Sequence, residues 1–254
     1  MIRLILIGTG NVATHLYDAF LNTKDATVVQ VYGRSQSSLL PFSKKTPVTT
    51  TIETLMPADI YIITISDDAI SDFSKKLVLQ NKLVVHTSGG VAMDVLFERN
   101  KKGVFYPLQT FTKGKTIDFT QIPICIEAEN ENDYKLLEKL GNSISEKVVR
   151  IPSEKRRVLH LAAVFVNNFV NFMYIAGNDI AIENDLDFDL LKPLIAETAT
   201  KIKTLLPEQA QTGPAKRNDK ETIQKHLDLL RNSEYKELYT QITKAIINRY
   251  GKKL

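Results

Sequence analysis

Met1-Ile-Arg-Leu-Ile-Leu-Ile-Gly-Thr-Gly-Asn-Val-Ala-Thr-His15 opens the chain, and its reading decides the fold. Leu4, Ile5, Leu6 and Ile7 make an unbroken apolar run, the pattern of a parallel strand buried on both faces beneath helices. Gly8, Gly10 and Ala13 then complete G-x-G-x-x-A. In that fingerprint the first glycine allows a tight turn, the second lets a pyrophosphate approach the backbone, and the small third residue lets helix pack on strand. Val12, Leu16, Phe20 and Leu21 give the following helix an apolar face, and its first N–H groups form an anion site. The spacing predicts dinucleotide binding at Gly8, Gly10, Asn11 and Val12, with a plain strand-to-helix turn as the alternative.

The remaining 239 or so residues of the 254 are long enough for a second domain. With 43% hydrophobic and 24% charged residues the composition is that of a globular protein, and a net charge of +4 spread over scattered lysines gives a nucleic-acid partner no footing. Met1 runs straight into a core strand, so a cytoplasmic protein without a targeting segment is expected. The single cysteine, Cys125, sits in an apolar run, and no CxxC motif or metal-ligand spacing occurs. Val158 to Gly177 is the most apolar long segment; His160, Asn167, Asn168 and Asn171 interrupt it, which argues against a membrane span.

Working outward, Thr27–Tyr32 reads as a second strand with Gly33, Arg34 and Ser35 at its carboxyl end. An acid here would bind the ribose 2′-hydroxyl of NAD, whereas an arginine suits a 2′-phosphate. No acid lies between Gln30 and Thr51, so Arg34 with Ser35 points to NADP; a solvated surface arginine is the alternative. Further strands are predicted at 47–50, 58–65, 82–86, 103–106, 123–128 and 147–151. Helical stretches between them, including 91–99 and 131–140, give βαβ units and a mostly parallel, doubly wound Rossmann sheet. Ligands bind beyond the carboxyl ends of such strands, which puts Ser66, His86, Ser88 and the Tyr106–Phe111 loop with Gln109 on the cofactor side.

After Pro152 strand signals stop, and helices are predicted over roughly 153–183, 187–206, 219–231 and 233–249. The fold class is therefore α/β: an NADP-binding domain at 1–152 followed by an all-α domain at 153–254. At about 100° per residue, His160, Asn167, Asn171 and Asn178 lie within roughly 20° of one line on a helix otherwise apolar. Facing a cleft, His160 is a proton donor to a carbonyl or imine, and Asn167 and Asn168 orient the substrate. A paired interhelical network without chemistry is the alternative, and His86 is the rival acid. His15 reads as a surface residue. Thr212-Gly-Pro-Ala-Lys-Arg-Asn-Asp219 displays Lys216 and Arg217 before a helix started by Asn218 or Asp219, a handle for a substrate carboxylate or phosphate, with solvated charges on a connector as the alternative.

Together these residues resemble the 6-phosphogluconate dehydrogenase C-terminal-like superfamily, which includes pyrroline-5-carboxylate, ketopantoate and deazaflavin-dependent NADP reductases. Within it, His86-Thr-Ser-Gly89, Tyr106-Pro-Leu-Gln-Thr-Phe111, His160 with Asn168, and the 212–219 stretch with His226 are similar to a family of Rossmann-like oxidoreductases with no assigned substrate. The resemblance implies NADP-dependent reduction and dimerisation through the helical domain around Phe165, Phe169 and Phe172. The lysine that hydroxyacid dehydrogenases carry a turn before an asparagine is missing here, so their mechanism does not transfer. The expected function is hydride transfer to a small anionic carbonyl or imine; an NADP(H)-sensing regulator or scaffold without turnover is the competing reading.

Overall fold

The computed structural model describes residues 1–251, which form two compact units, Met1–Asn168 and the chain from Phe169 onward. In the first, eight strands make one sheet in the order β3-β2-β1-β4-β5-β6-β7-β8. They are β1 (Ile2–Ile7), β2 (Ala26–Tyr32), β3 (Val48–Thr49), β4 (Ile60–Ile63), β5 (Leu83–His86), β6 (Lys101–Pro107), β7 (Ile124–Ala128) and β8 (Val148–Arg150). All pairings are parallel except β6 with β7. The order reverses between β1 and β4, and the crevice beyond their carboxyl ends is where a doubly wound sheet takes its ligand.

The unbroken apolar strands follow from burial on both sides. Leu4 and Leu6 join the core that also holds Leu16, Phe20, Phe105 and Leu137. Ile5 and Ile7, pointing the other way, join Tyr61, Ile63, Ile70 and Leu96. Helices α1 (Asn11–Leu21), α2 (Gln36–Ser43), α3 (Ile70–Lys76) and α4 (Glu131–Asn142) lie between the strands in sequence. Asn130 caps α4 by accepting from the Asp133 N–H.

One expected helix is absent. Residues 91–99 hold only a short 3₁₀ turn, Met93–Val95, because side chains take their backbone donors. Ser88 Oγ accepts from Gly90 and Val91, Ser153 Oγ from Met93, and Ser74 Oγ from Phe97. The segment is a strap whose N–H groups are tied down at three points, Val91, Met93 and Phe97.

Strands end at Arg150, while the first unit continues through α5 (Ser153–Ala163) to Asn168. Its N-terminal turns are bound in by Arg156, which is fully buried and paired with Glu127 of β7. A six-residue π-helical stretch, Val164–Phe169, follows, and α6 (Val170–Glu183) continues it. The π turn breaks the 100° periodicity, so the expected polar line does not persist: Asn171 is exposed and Asn178 bonds Asp179. Many of the helix's apolar residues are exposed, among them Val158, Leu161, Val166, Phe172 and Ile182. Ser153–Glu183 spans 31 residues and contains an 18-residue window with a mean hydropathy of 1.5, enough by length and composition alone to cross a bilayer despite its polar interruptions.

The second unit adds α7 (Lys192–Lys201), the single turn α8 (Pro207–Ala210), α9 (Lys220–Leu229) and α10 (Lys236–Tyr250). The helix predicted to reach 206 stops at Lys201. Asp219 starts α9 by accepting from the Thr222 N–H at 3.1 Å, while Asn218 takes a positive φ of 52°.

Candidate active site

The fingerprint turn is built as its sequence requires. Gly8 has φ +125°, and a Cβ there would lie 2.5 Å from Thr64 Oγ1 and 2.7 Å from the Thr64 carbonyl oxygen, so only glycine fits between β1 and β4. A Cβ on Gly10 would meet nothing within 4 Å. Gly10 is the N-cap of α1 and supplies no capping side chain, so the first-turn N–H groups, including those of Asn11 and Val12, face that open space. The result is an open, glycine-lined cradle at the N-terminus of α1. The cavity here, about 580 Å³, is lined by Gly8, Gly10, Arg34, Ser66 and, from α3, Lys76.

Arg34 is exposed at the cavity and makes no hydrogen bond or ion pair with the described residues, so its guanidinium fork is open there. Ser35 is occupied: its hydroxyl accepts from the Ser38 N–H as the cap of α2. Lys76, a second cation at this cavity, escaped the sequence reading because it stands 42 positions from Arg34 and at the far end of another helix. The Asn11 side chain donates to the Phe111 carbonyl at 2.9 Å, so its part toward a cofactor is its main chain.

His86 is brought to the ligand end of β5 but is fully buried. Its Nδ1 accepts from the Ser88 N–H at 3.2 Å and its Nε2 lies 3.3 Å from the Ala92 carbonyl, so both nitrogens are spent on main chain. Burial, and then the Arg156 charge, push its pKa down to about 4. A neutral imidazole with no open position is no acid catalyst, and His86 and Ser88 together build the turn instead. His15 is also buried, with Nδ1 2.8 Å from the Asn11 carbonyl and Nε2 2.9 Å from that of Lys115, which corrects its expected surface position.

His160 finds a partner no local pattern announces. Its Nδ1 lies 3.2 Å from the Tyr106 hydroxyl across 54 residues of sequence. Gly89 makes this approach possible, since a Cβ there would come within 2.7 Å of both His160 Nδ1 and Tyr106 Cζ. Burial pushes the Tyr106 phenol up to about 12, so it stays a proton donor near neutrality. Across Gly90, the Asp67 carboxylate and the His160 ring lie 3.6 and 3.8 Å from where a Cβ would stand. A cavity of about 340 Å³ opens at the pair, lined also by Gln109, Thr110, Asn167 and Asn168. Tyr106 and Asp67 were not named as site residues; the Tyr106–Phe111 loop on the cofactor side was the sequence signal for Tyr106, and Asp67 stands next to Ser66, which was placed on that side.

Arg156 anchors this arrangement one helical turn before His160. Its guanidinium donates to Glu127 Oε2 and to the Val91 carbonyl, both at 2.5 Å, and to Ser153 Oγ at 3.1 Å, while its Nε is buried without a partner among the described residues. In the second unit the two expected substrate cations differ. Lys216 donates to the Gln211 carbonyl at 2.8 Å and sits over the Tyr250 ring, whereas Arg217 is exposed. Among the described residues no three His, Cys, Asp or Glu side chains are grouped to hold a metal.

A glycine cradle at the switch point of a doubly wound sheet, with an arginine where the adenosine ribose is met, defines an NADP-binding protein of Rossmann architecture. Residues 3–90 match the model of the coenzyme F420-dependent NADP oxidoreductase family, and residues 122–246 match a domain family of unknown function. A Bacteroides fragilis protein provisionally assigned as an NADP oxidoreductase is 38% identical over 98% of both chains, with a TM-score of 0.90. A Thermotoga maritima protein shares the fold at 22% identity over 98% of both chains, with a TM-score of 0.76. An imine reductase from Myxococcus stipitatus, solved with NADP+, shares it at 16% identity and a TM-score of 0.65, over 98% of this chain and 99% of its own. No curated protein matches by sequence. The chain belongs to the Rossmann-like NADP oxidoreductase family represented by the Bacteroides protein. It is an NADP-dependent oxidoreductase.

Proposed function

We propose that this oxidoreductase reduces a small carbonyl or imine compound, and that Tyr106 and His160 deliver the proton the product requires. The observation that carries this reading is the 3.2 Å contact between the Tyr106 hydroxyl and His160 Nδ1 at the wall of a cavity lined by amides. Bound NADPH supplies the hydride. Gly8, Gly10 and the α1 N-terminus would hold its pyrophosphate, Arg34 and Lys76 its adenosine phosphate. If Nδ1 accepts the phenol proton, His160 Nε2–H is the donor; if Nδ1 donates, the phenol keeps its own proton to give. Gln109, Asn167 and Asn168 orient the acceptor by neutral hydrogen bonds.

We also propose a homodimer in the cytoplasm, formed through the exposed apolar faces around Leu161, Val166, Phe172 and Ile182. Apolar residues exposed along one long helix form the kind of patch that marks an interface, and a second copy is our assignment in preference to lipid.

The test is NADPH oxidation with oxo acids, cyclic imino acids and phosphorylated aldehydes. On the substrate that emerges, His160→Ala and Tyr106→Phe should each lower kcat by roughly 10²-fold or more, the scale of acid catalysis, with NADPH affinity unchanged. Normal turnover in both variants overturns the assignment. Turnover of none of these compound classes, with NADPH bound tightly, overturns the proposed substrate class.

A further inference from the structure

A second cavity, of about 390 Å³, lies wholly within the helical unit, beneath the turn Thr212–Ala215. Its volume falls within the range of small-molecule sites, and none of the residues lining it is Asp, Glu, Lys or Arg. Met173, Ala176, Gly177 and Ile180 give one wall, a single face of α6, and Leu238, Ile242 and Ile246 of α10 give another. Thr212 and Thr243 also line it, and the remaining polar side chains are His226, Tyr235 and Tyr239. Tyr239 Oη and His226 Nδ1 lie 2.8 Å apart, and His226 Nε2 has no hydrogen-bond partner among the described residues. Either tautomer leaves a donor: Nε2–H if Nδ1 accepts, the phenol proton if Nδ1 donates. The neighbouring Tyr235 phenol is spent on Asp179 Oδ2 at 2.5 Å.

Gly177 is the observation that calls for an occupant. It stands in the middle of α6, where glycine is a poorer helix former than every residue but proline. Packing does not require it, because a Cβ there would meet nothing within 4 Å. A position that forgoes a side chain at a cost to its helix, with empty space in front of it, is explained by a group that fills that space when bound. A charged ligand would lose its hydration with no ionic partner in return, whereas an uncharged one would not.

We propose that this cavity binds an uncharged small molecule with a hydrocarbon or aromatic body and one hydrogen-bond acceptor, such as a ketone oxygen, seated on the His226–Tyr239 pair. The site is independent of the reductase reading, and its test needs no turnover. The probe is 4-fluoroacetophenone followed by fluorine NMR on the full-length protein, with 4-fluorobenzoate as the charged counterpart. Saturable binding of the ketone, and none of the benzoate, is expected. Tyr239→Phe should weaken it by a few-fold to about tenfold, the value of one neutral hydrogen bond. Gly177→Ala should raise the melting temperature while weakening the probe, and Gly177→Leu should abolish binding while the protein stays folded by circular dichroism.

Three results overturn the proposal: no saturable binding to folded wild-type protein, equal binding of the benzoate, or binding untouched by Tyr239→Phe and both Gly177 variants. If no probe binds but Gly177→Leu changes the sedimentation coefficient, the face is covered by a second copy and the small-molecule site is refuted.

Discussion

Arg156→Met tests whether the buried guanidinium holds the first unit together at its site. The side chain is fully buried, and the variant removes hydrogen bonds to Glu127, the Val91 carbonyl and Ser153. Removing one partner of a buried ion pair costs about 3–5 kcal/mol, because the other charge is stranded. Glu127 is not wholly stranded, since it retains the Ser153 N–H at 3.0 Å and the Ser153 hydroxyl at 2.7 Å, and its side chain is 16% exposed. Against that, the Val91 carbonyl loses its charged donor, worth about 1–3 kcal/mol. The two corrections offset, and we expect a loss of about 3–4 kcal/mol, a large part of a typical 5–15 kcal/mol stability. Urea unfolding followed by circular dichroism measures it, as a lower midpoint at constant slope. Removing both charges in Arg156→Met with Glu127→Gln should recover about 1–2 kcal/mol of that loss. A single-variant cost below about 1 kcal/mol would refute the reasoning, and so would strict additivity of the pair.

Gly10→Ala should leave the unfolding midpoint unchanged and weaken NADPH binding at least tenfold, since its Cβ enters only the space kept for pyrophosphate; Gly8→Ala should unfold at lower urea, because its Cβ meets Thr64 at 2.5 Å. Calorimetric titration beside the unfolding curves separates the two. His86 titrates at about 4 when folded against 6.5 unfolded, so between those values the unfolded chain binds the extra proton and stability falls as pH falls. The window is pH 6.5 down to 4, the total about 3 kcal/mol, and His86→Gln should flatten that slope in unfolding curves taken across it. Arg34→Ala should cost NADPH about 1–3 kcal/mol of binding and NADH little, read by nucleotide fluorescence; an unchanged preference would move the 2′-phosphate to Lys76.

Much of the first unit was legible because its signals are local. An unbroken Leu4–Ile7 run needs both faces buried wherever it sits, and Gly8 and Gly10 specify a turn through backbone freedom alone. Seven further strands were foreseen within a few residues, since each is a short apolar run ended by turn formers. Arg34 could be read as a cofactor residue because its place at the end of β2 follows from the strand that carries it.

What tertiary structure alone decided is the fate of each polar side chain. The sequence offered His160 as the proton donor and His86 as its rival, and tertiary contacts set them apart: His86 has both nitrogens against main chain, while His160 meets Tyr106 through the gap left by Gly89. His15, read as a surface residue, was enclosed by the Lys115 carbonyl from a loop 100 residues away. The 91–99 stretch lost its helix to hydroxyls of Ser74, Ser88 and Ser153, and the line through His160, Asn171 and Asn178 was broken by a π turn. Periodicity reports which residues face the same way along one element. Hydration, charge and hydrogen bonding depend on what other elements bring to that face, and those partners are fixed only when the chain has folded.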